Sequence, residues 1–185
     1  MENRWNHLFA RSLGTALAEC VYGSRLIGSD PALVLHGGGN TSIKAPFNDI
    51  TGNSFDALFV KGSGWDLATI EEQGFAPLDL SRLRDLLALD SLSDREMVRE
   101  LTTSSLDPDA PTPSVESLLH AYIPYPAVLH SHADAVVAIT NVADGEKLVR
   151  DIFGDSVILI PYVMPGFELA KTVTTMWPAQ ADETT

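Results

Sequence analysis

The sequence predicts an α/β or α+β sandwich on an antiparallel or mixed sheet. Three observations carry that expectation. Short apolar strand-like runs alternate with amphipathic helical stretches. Several of the strand runs are separated by hairpin-length gaps, which favour antiparallel neighbours because a parallel pair needs a long crossover. Two of the strands run directly into glycine-rich loops. No internal repeat or low-complexity tract interrupts the pattern.

Taken in order, Trp5 to Tyr22 reads as one amphipathic helix, with Trp5, Leu8, Phe9, Leu13, Leu17, Cys20 and Val21 at helical spacing. Ala32 to Leu35 reads as a short strand leading into Gly37-Gly38-Gly39. Thr41 to Lys44 alternates and reads as the next strand. Asn48 to Asn53 is turn chemistry, and Phe55 to Lys61 is a strand ending in Gly62-Ser63-Gly64, so a hairpin is expected. Asp79 to Leu89 reads as a helix with Leu80, Leu83, Leu86 and Leu87 on one face. Ser93 to Thr103 reads as another, capped by Ser93 with Glu96 three residues on. Asp107 to Pro113 is a proline loop, and Ser114 to Tyr122 a helix. Ala127 to His130 reads as a buried strand, Ala133 to Thr140 and Glu146 to Phe153 as helices, Val157 to Ile160 as a strand, and Phe167 to Trp177 as a helix before the polar stretch Ala179 to Thr185.

The chain has 185 residues, enough for one domain with a real core, and 1–185 is read as a single domain. With 12 Lys+Arg against 25 Asp+Glu, the net charge of −13 argues against a nucleic-acid partner, whose affinity is driven by cations. It leaves room for a local pocket of backbone amides around a small anion. No apolar run approaches the roughly 20 residues that span a bilayer, and no signal-peptide core opens the chain, so the expectation is a soluble cytoplasmic protein with no membrane partner. The single cysteine, Cys20, permits no internal disulfide and falls on a helix's apolar stripe, where it reads as core.

His130-Ser131-His132 is the sharpest motif. On an extended segment the two imidazoles share a face, half of a divalent-metal site; the plain structural reading is two histidines bonding locally at a strand end. Glu116 reads either as a first-turn carboxylate complementing a helix dipole or as a base or metal ligand. His120, one turn on, shares its face and reads as orienting Glu116 or packing. Gly37-Gly38-Gly39-Asn40-Thr41-Ser42 brings backbone amides and side-chain donors together, as an anion cradle or as a tight turn, without the P-loop pattern. Lys61-Gly62-Ser63-Gly64-Trp65 is a second loop of this kind, and Ser114 is placed to add a hydroxyl. His36 reads as a turn residue beside the cradle, Trp65 as packing, and Asp134 as either a partner for a metal-bound imidazole or a helix cap.

The ordered set Gly39-Asn40-Thr41-Ser42, Lys61-Gly62-Ser63-Gly64-Trp65, and Pro113-Ser114-Val115-Glu116 leading to His130-Ser131-His132 resembles the class II aldolase/adducin family. The likeness runs from about Leu13 to Pro165 and is strongest to the aldolase part of rhamnulose-1-phosphate aldolase-type proteins, including those fused to a short-chain dehydrogenase. The resemblance implies a three-layer α/β/α sandwich around a mostly antiparallel central sheet. It implies a zinc-dependent lyase that cleaves a ketose 1-phosphate, such as rhamnulose or fuculose 1-phosphate, into dihydroxyacetone phosphate and an aldehyde. It gives His130 and His132 as zinc ligands, Glu116 as acid/base and additional ligand, and Gly39, Asn40, Ser63, Gly64 and Ser114 as phosphate and substrate contacts. It also implies a homo-oligomer, commonly a tetrameric ring. A same-fold sugar-phosphate epimerase or dehydratase, or an adducin-like scaffold without catalysis, are the alternative readings. The family's third zinc histidine lies downstream in an Asn-His-Gly-like strand, and no histidine follows His132 here. The resemblance therefore implies either a family member stopping short of that strand or a metal set completed by Glu116, water or a partner residue.

Overall fold

Gly14 breaks the first predicted helix. It adopts φ +79°, a conformation that glycine tolerates and that ends a helical run. Thr15 then caps the next helix by accepting from the Ala18 N–H. The single expected helix is thus two, α1 (His7–Ser12) and α2 (Ala16–Gly28). The computed structural model describes residues 2–181, so the end of the polar stretch Ala179 to Thr185 lies outside the described residues.

The remaining elements are β1 (Asn40–Asn48), β2 (Ser54–Lys61), β3 (Phe75–Asp79), α3 (Leu80–Leu87), α4 (Asp94–Thr103), α5 (Ser117–Tyr122), β4 (Ala127–His130), α6 (Asp134–Thr140), α7 (Gly145–Phe153) and α8 (Phe167–Ala181). The strands form one antiparallel sheet in the order β3-β2-β1-β4. The β1–β2 hairpin turns at Asp49, whose carboxylate accepts from the backbone of Thr51 and Asn53. α4 carries the expected capping box, Ser93 with Glu96.

The period of two along each strand sorts side chains between the two faces. Leu58 and Val60 of β2 face a core made with Leu78, Leu83, Leu118 and Phe167, which brings α3, α5 and α8 onto one face. Phe59 and Ile43 turn the other way, against Cys20 and Val21 of α2. The result is helix, sheet and helix in three layers, as the family resemblance implied. On the α2 side the core holds a buried polar contact, Ser24 Oγ to Thr41 Oγ1 at 2.7 Å. Burial pushes the Cys20 thiol up to about 12, with the nearby Ser24 and Thr41 hydroxyls pulling weakly the other way.

Three strand expectations need correction. Ala32 to Leu35 forms turns, because Pro31 and the Asp30 carboxylate, which accepts from the Ala32 N–H, fold the chain back. Ala127 to His130 is a strand at the sheet edge rather than a buried one, with Leu129 58% exposed. Val157 to Ile160 joins no strand of the sheet. β3 carries no alternating strand signal in the sequence, because its Phe75-Ala76-Pro77-Leu78 run is continuous and contains a proline. As an edge strand covered on its outer side by Ser105 and Leu106, it tolerates Pro77. Among the described residues no helix is long and apolar enough to cross a membrane.

Candidate functional site

β1 is the spine of the site. Asn40, Ser42 and Lys44 alternate onto its α5 face, while Thr41 and Ile43 point toward α2. Register pairs Asn40 with His130 across to β4, so the imidazole emerges beside the end of the glycine loop. The loop itself demands glycine at position 39. Gly39 has φ +70°, and a Cβ there would lie 2.6 Å from Val34 Cγ1 and 2.8 Å from the His130 carbonyl oxygen. The cradle and the first histidine are therefore packed backbone to backbone.

His130 and His132 stand side by side, with ring centroids 4.9 Å apart and planes at 59°. Their neighbourhood agrees with the sequence reading, but its origin differs. The strand ends at His130, and His132 is held by its own backbone N–H, which donates to the Leu33 carbonyl at 2.8 Å. Its ring lies against the cradle, because a Cβ on Gly38 would be 3.2 Å from His132 Nδ1.

Glu116 precedes α5 as its N-cap residue and reaches His130, with Oε2 at 3.1 Å from Nδ1. Burial by itself would push this carboxyl up. The His130 hydrogen bond, electrostatic attraction to the neighbouring His130 and His120 rings, and the Asn40 side chain outweigh burial and hold it below its ordinary value. His120, one turn on, is buried, with Nδ1 2.8 Å from Ser42 Oγ. Burial pushes its pKa down to about 4, against a counter-pull from Glu116, so the ring is neutral near pH 7. Lys61, at the end of β2, is buried with its ammonium 3.2 Å from the Gly37 carbonyl oxygen. Burial lowers its pKa, while Asp66 and Glu116 pull it back up.

Glu116, Lys61 and the His130–His132 pair line one cleft of about 390 Å³. Gly39, Asn40, Ser63, Gly64, Ser114, Glu116, His130 and His132 all border it, together with Lys61 and an apolar wall from Val98, Leu101, Val115 and Pro165. Isolated pairing of Gly62 with Pro113 ties the second glycine loop to the segment carrying Ser114 and Glu116. A larger, more apolar cavity of about 510 Å³ lies on the α2 face, among Trp5, Cys20, Ile43 and Leu129, away from these polar groups.

The donor chemistry fits a divalent ion. Two imidazoles are adjacent, and a carboxylate fixes the orientation of one of them, the usual arrangement around a metal-binding histidine. Among the described residues no group of three or more His, Cys, Asp or Glu stands assembled around a common point. Asp134 opens α6, in its first turn, where its charge suits the helix N-terminus. His36 takes φ +52° in the turn before the cradle, and Trp65 packs in the α2-side core, both as read from the sequence.

Lys61 was visible in the sequence only as part of a loop motif, and Ser42 only as part of another. What gives each its place is the strand face, which becomes definite once the register of β1 is known.

Comparison with known proteins agrees with this architecture. A family model described as the class II aldolase and adducin N-terminal domain matches residues 18–181. An uncharacterized oxidoreductase of Bacillus subtilis, YuxG, is 41% identical over 169 residues. That alignment takes in 91% of this chain and 24% of the other protein, so the chain spans about a quarter of that relative. The solved N-terminal class II aldolase domain of a conserved protein from Thermoplasma acidophilum is 44% identical, with a TM-score of 0.86 over 95% of this chain and 80% of that one. YgbL of Escherichia coli, a putative aldolase/epimerase/decarboxylase, is 17% identical with a TM-score of 0.54 over 90% of this chain and 70% of that one, a likeness of fold alone.

Proposed function

This chain belongs to the class II aldolase and adducin family, and from that premise we propose that it is a zinc-dependent aldolase acting on a ketose 1-phosphate of the rhamnulose or fuculose type. The products are dihydroxyacetone phosphate and an aldehyde. The observation that carries this reading is the convergence of an imidazole pair, a carboxylate and two glycine-serine loops on one cleft of about 390 Å³.

In this reading the backbone amides around Gly39 and Gly64, with the Asn40, Ser63 and Ser114 side chains, hold the phosphate, and the Lys61 ammonium adds positive charge. Fixing the phosphate also fixes the distance from it to the carbon–carbon bond that breaks. His130 and His132 would hold the zinc ion, with Glu116 beside them as a further ligand or as the acid/base. A bound divalent ion supplies Lewis-acid stabilisation of the negative charge that bond cleavage leaves on the ketose oxygens. Glu116 Oε2 carries the proton. Held below its ordinary pKa it is ionised at neutral pH and ready to accept. The apolar wall of Val98, Leu101, Val115 and Pro165 keeps water from part of the cleft. The working protein is a cytoplasmic homo-oligomer.

Elemental analysis of protein purified without added zinc tests the reading. About one divalent ion per chain is expected in the wild type, and His130→Ala is expected to remove it. Release of dihydroxyacetone phosphate from the ketose 1-phosphate, followed with a coupled assay, is expected for the wild type and not for Glu116→Gln. Metal content unchanged by His130→Ala would take the imidazole pair out of the site. Epimerised or dehydrated product without cleavage would move the chain to another reaction of the same fold.

A further inference from the structure

We propose that His120 is a positioning residue. Through Ser42 it sets the height of α5 on β1, and so aims the Glu116 carboxylate at His130. This rests on the reading of Glu116 as the proton-carrying group.

Two repeats in the molecule match. Alternate residues of a strand are about 6.8 Å apart, and residues four apart on a helix about 6.0 Å. Asn40, Ser42 and Lys44 on β1 meet Glu116, His120 and the end of α5 in that order. Asn40 borders the same cleft as Glu116. Ser42 Oγ lies 2.8 Å from His120 Nδ1. Lys44 donates to the carbonyl oxygens of Ile123 and, at 2.8 Å, of Tyr125. The two hydrogen-bonded rungs, at Ser42 and Lys44, thus fix α5 along β1, and β1 is in turn registered to β4, with Asn40 opposite His130. The contact between Glu116 and His130 at 3.1 Å is the end of that chain of registrations.

The Ser42 rung is the informative one. His120 is 1% exposed, and its Nε2 has no hydrogen-bond partner. Asn40 Oδ1, two residues along β1, is unpartnered too. Nothing in the packing uses the ring's Nε2, and a leucine there would leave the buried Ser42 Oγ without its partner. Packing therefore does not explain a histidine here. What histidine adds is the Nδ1 bond to a strand residue at a defined height, which an apolar side chain lacks.

The test separates the two ring nitrogens. His120→Asn keeps a polar atom near the Nδ1 position, and His120→Gln moves it out toward Nε2. Metal-free protein with nitrogen-labelled histidines is examined by NMR, where a hydrogen-bonded Nδ1 proton of His130 resonates far downfield and exchanges slowly. The wild type and His120→Asn are expected to show that proton. In His120→Gln and Ser42→Ala it is expected to vanish or exchange more than about tenfold faster, as loss of an orienting partner does. Ser42→Ala removes a single oxygen and decides the matter should His120→Gln fail to fold. In the cleavage assay His120→Gln is expected to lower kcat by roughly a hundredfold with KM unchanged, the mark of a misplaced group rather than lost binding. A wild-type-like His130 signal in both His120→Gln and Ser42→Ala overturns the proposal, as does its absence from the wild type. Altered signals in the variants of a protein that cleaves no ketose 1-phosphate would leave the positioning role standing and remove the lyase reading.

Discussion

The two edges of the sheet are built differently. On the β2–β3 side, Leu58, Val60, Leu78 and Leu83 are all sealed between sheet and helices. On the β4 side, Leu129 is largely exposed, no residue of α6 is buried, and Val136, Val137, Ile152 and Tyr162 face outward. The cleft lies on the seam. Glu116, Lys61 and the second glycine loop belong to the packed side, while His130 and His132 come from the open one with the first glycine loop packed against them. Glu116 and Lys61 are thus anchored among sealed strands and helices, whereas the imidazole pair owes its place to β1 register and to the Leu33 carbonyl.

The contrast predicts unequal responses to substitution. Leu58→Ala should destabilise the fold by about 3 kcal/mol, within the range for a sealed leucine, and equivalent trimming of the open side by Val137→Ala by under about 0.5 kcal/mol. Urea denaturation of both variants measures the gap, and equal losses would erase the distinction between the edges. Acid should strike the packed side as well. His120 is driven to about 4 in the fold, chiefly by burial, from an ordinary value of 6.5. Between those pH values the unfolded chain binds the extra proton and the folded chain does not. Stability is therefore full above about 6.5 and falls as the pH drops toward about 4, by on the order of 3 kcal/mol. Glu116, lowered below its usual 4.5, adds a further loss at still lower pH as its carboxylate is protonated. Denaturation midpoints measured across that range, with His120→Leu as the control that flattens the upper part of the curve, check the sign. Between Leu58→Ala and Val137→Ala in size falls Ser93→Ala. It removes the cap and half of the capping box of α4, which should cost about 1 kcal/mol by the same urea assay.

The sequence carried most of the elements because their signals are local. Ser93 with Glu96, the Asp49 turn and the leucine stripe of α3 each declare themselves within a few residues. Even the break in the first helix was written locally, in Gly14 followed by a capping Thr15. What was not legible depends on partners distant in the chain. Val157 to Ile160 has strand composition, yet a strand requires a neighbour to pair with, and composition does not supply one. For the site, the eight residues singled out by motif all border one cleft, but the ladder from Ser42 to Lys44 was invisible. Its rungs join residues up to 81 positions apart, and only strand register decides which of them face α5.

Cys20 has a practical consequence. It is the chain's one thiol, and at about 12 its pKa leaves roughly a thousandfold less thiolate at neutral pH than the ordinary value of 9.0 would. Alkylating reagents should therefore react sluggishly with the native protein and promptly once α2 lifts from the sheet. The molecule carries its own chemical clock for that opening, and labelling followed by mass spectrometry would read it without any engineered probe.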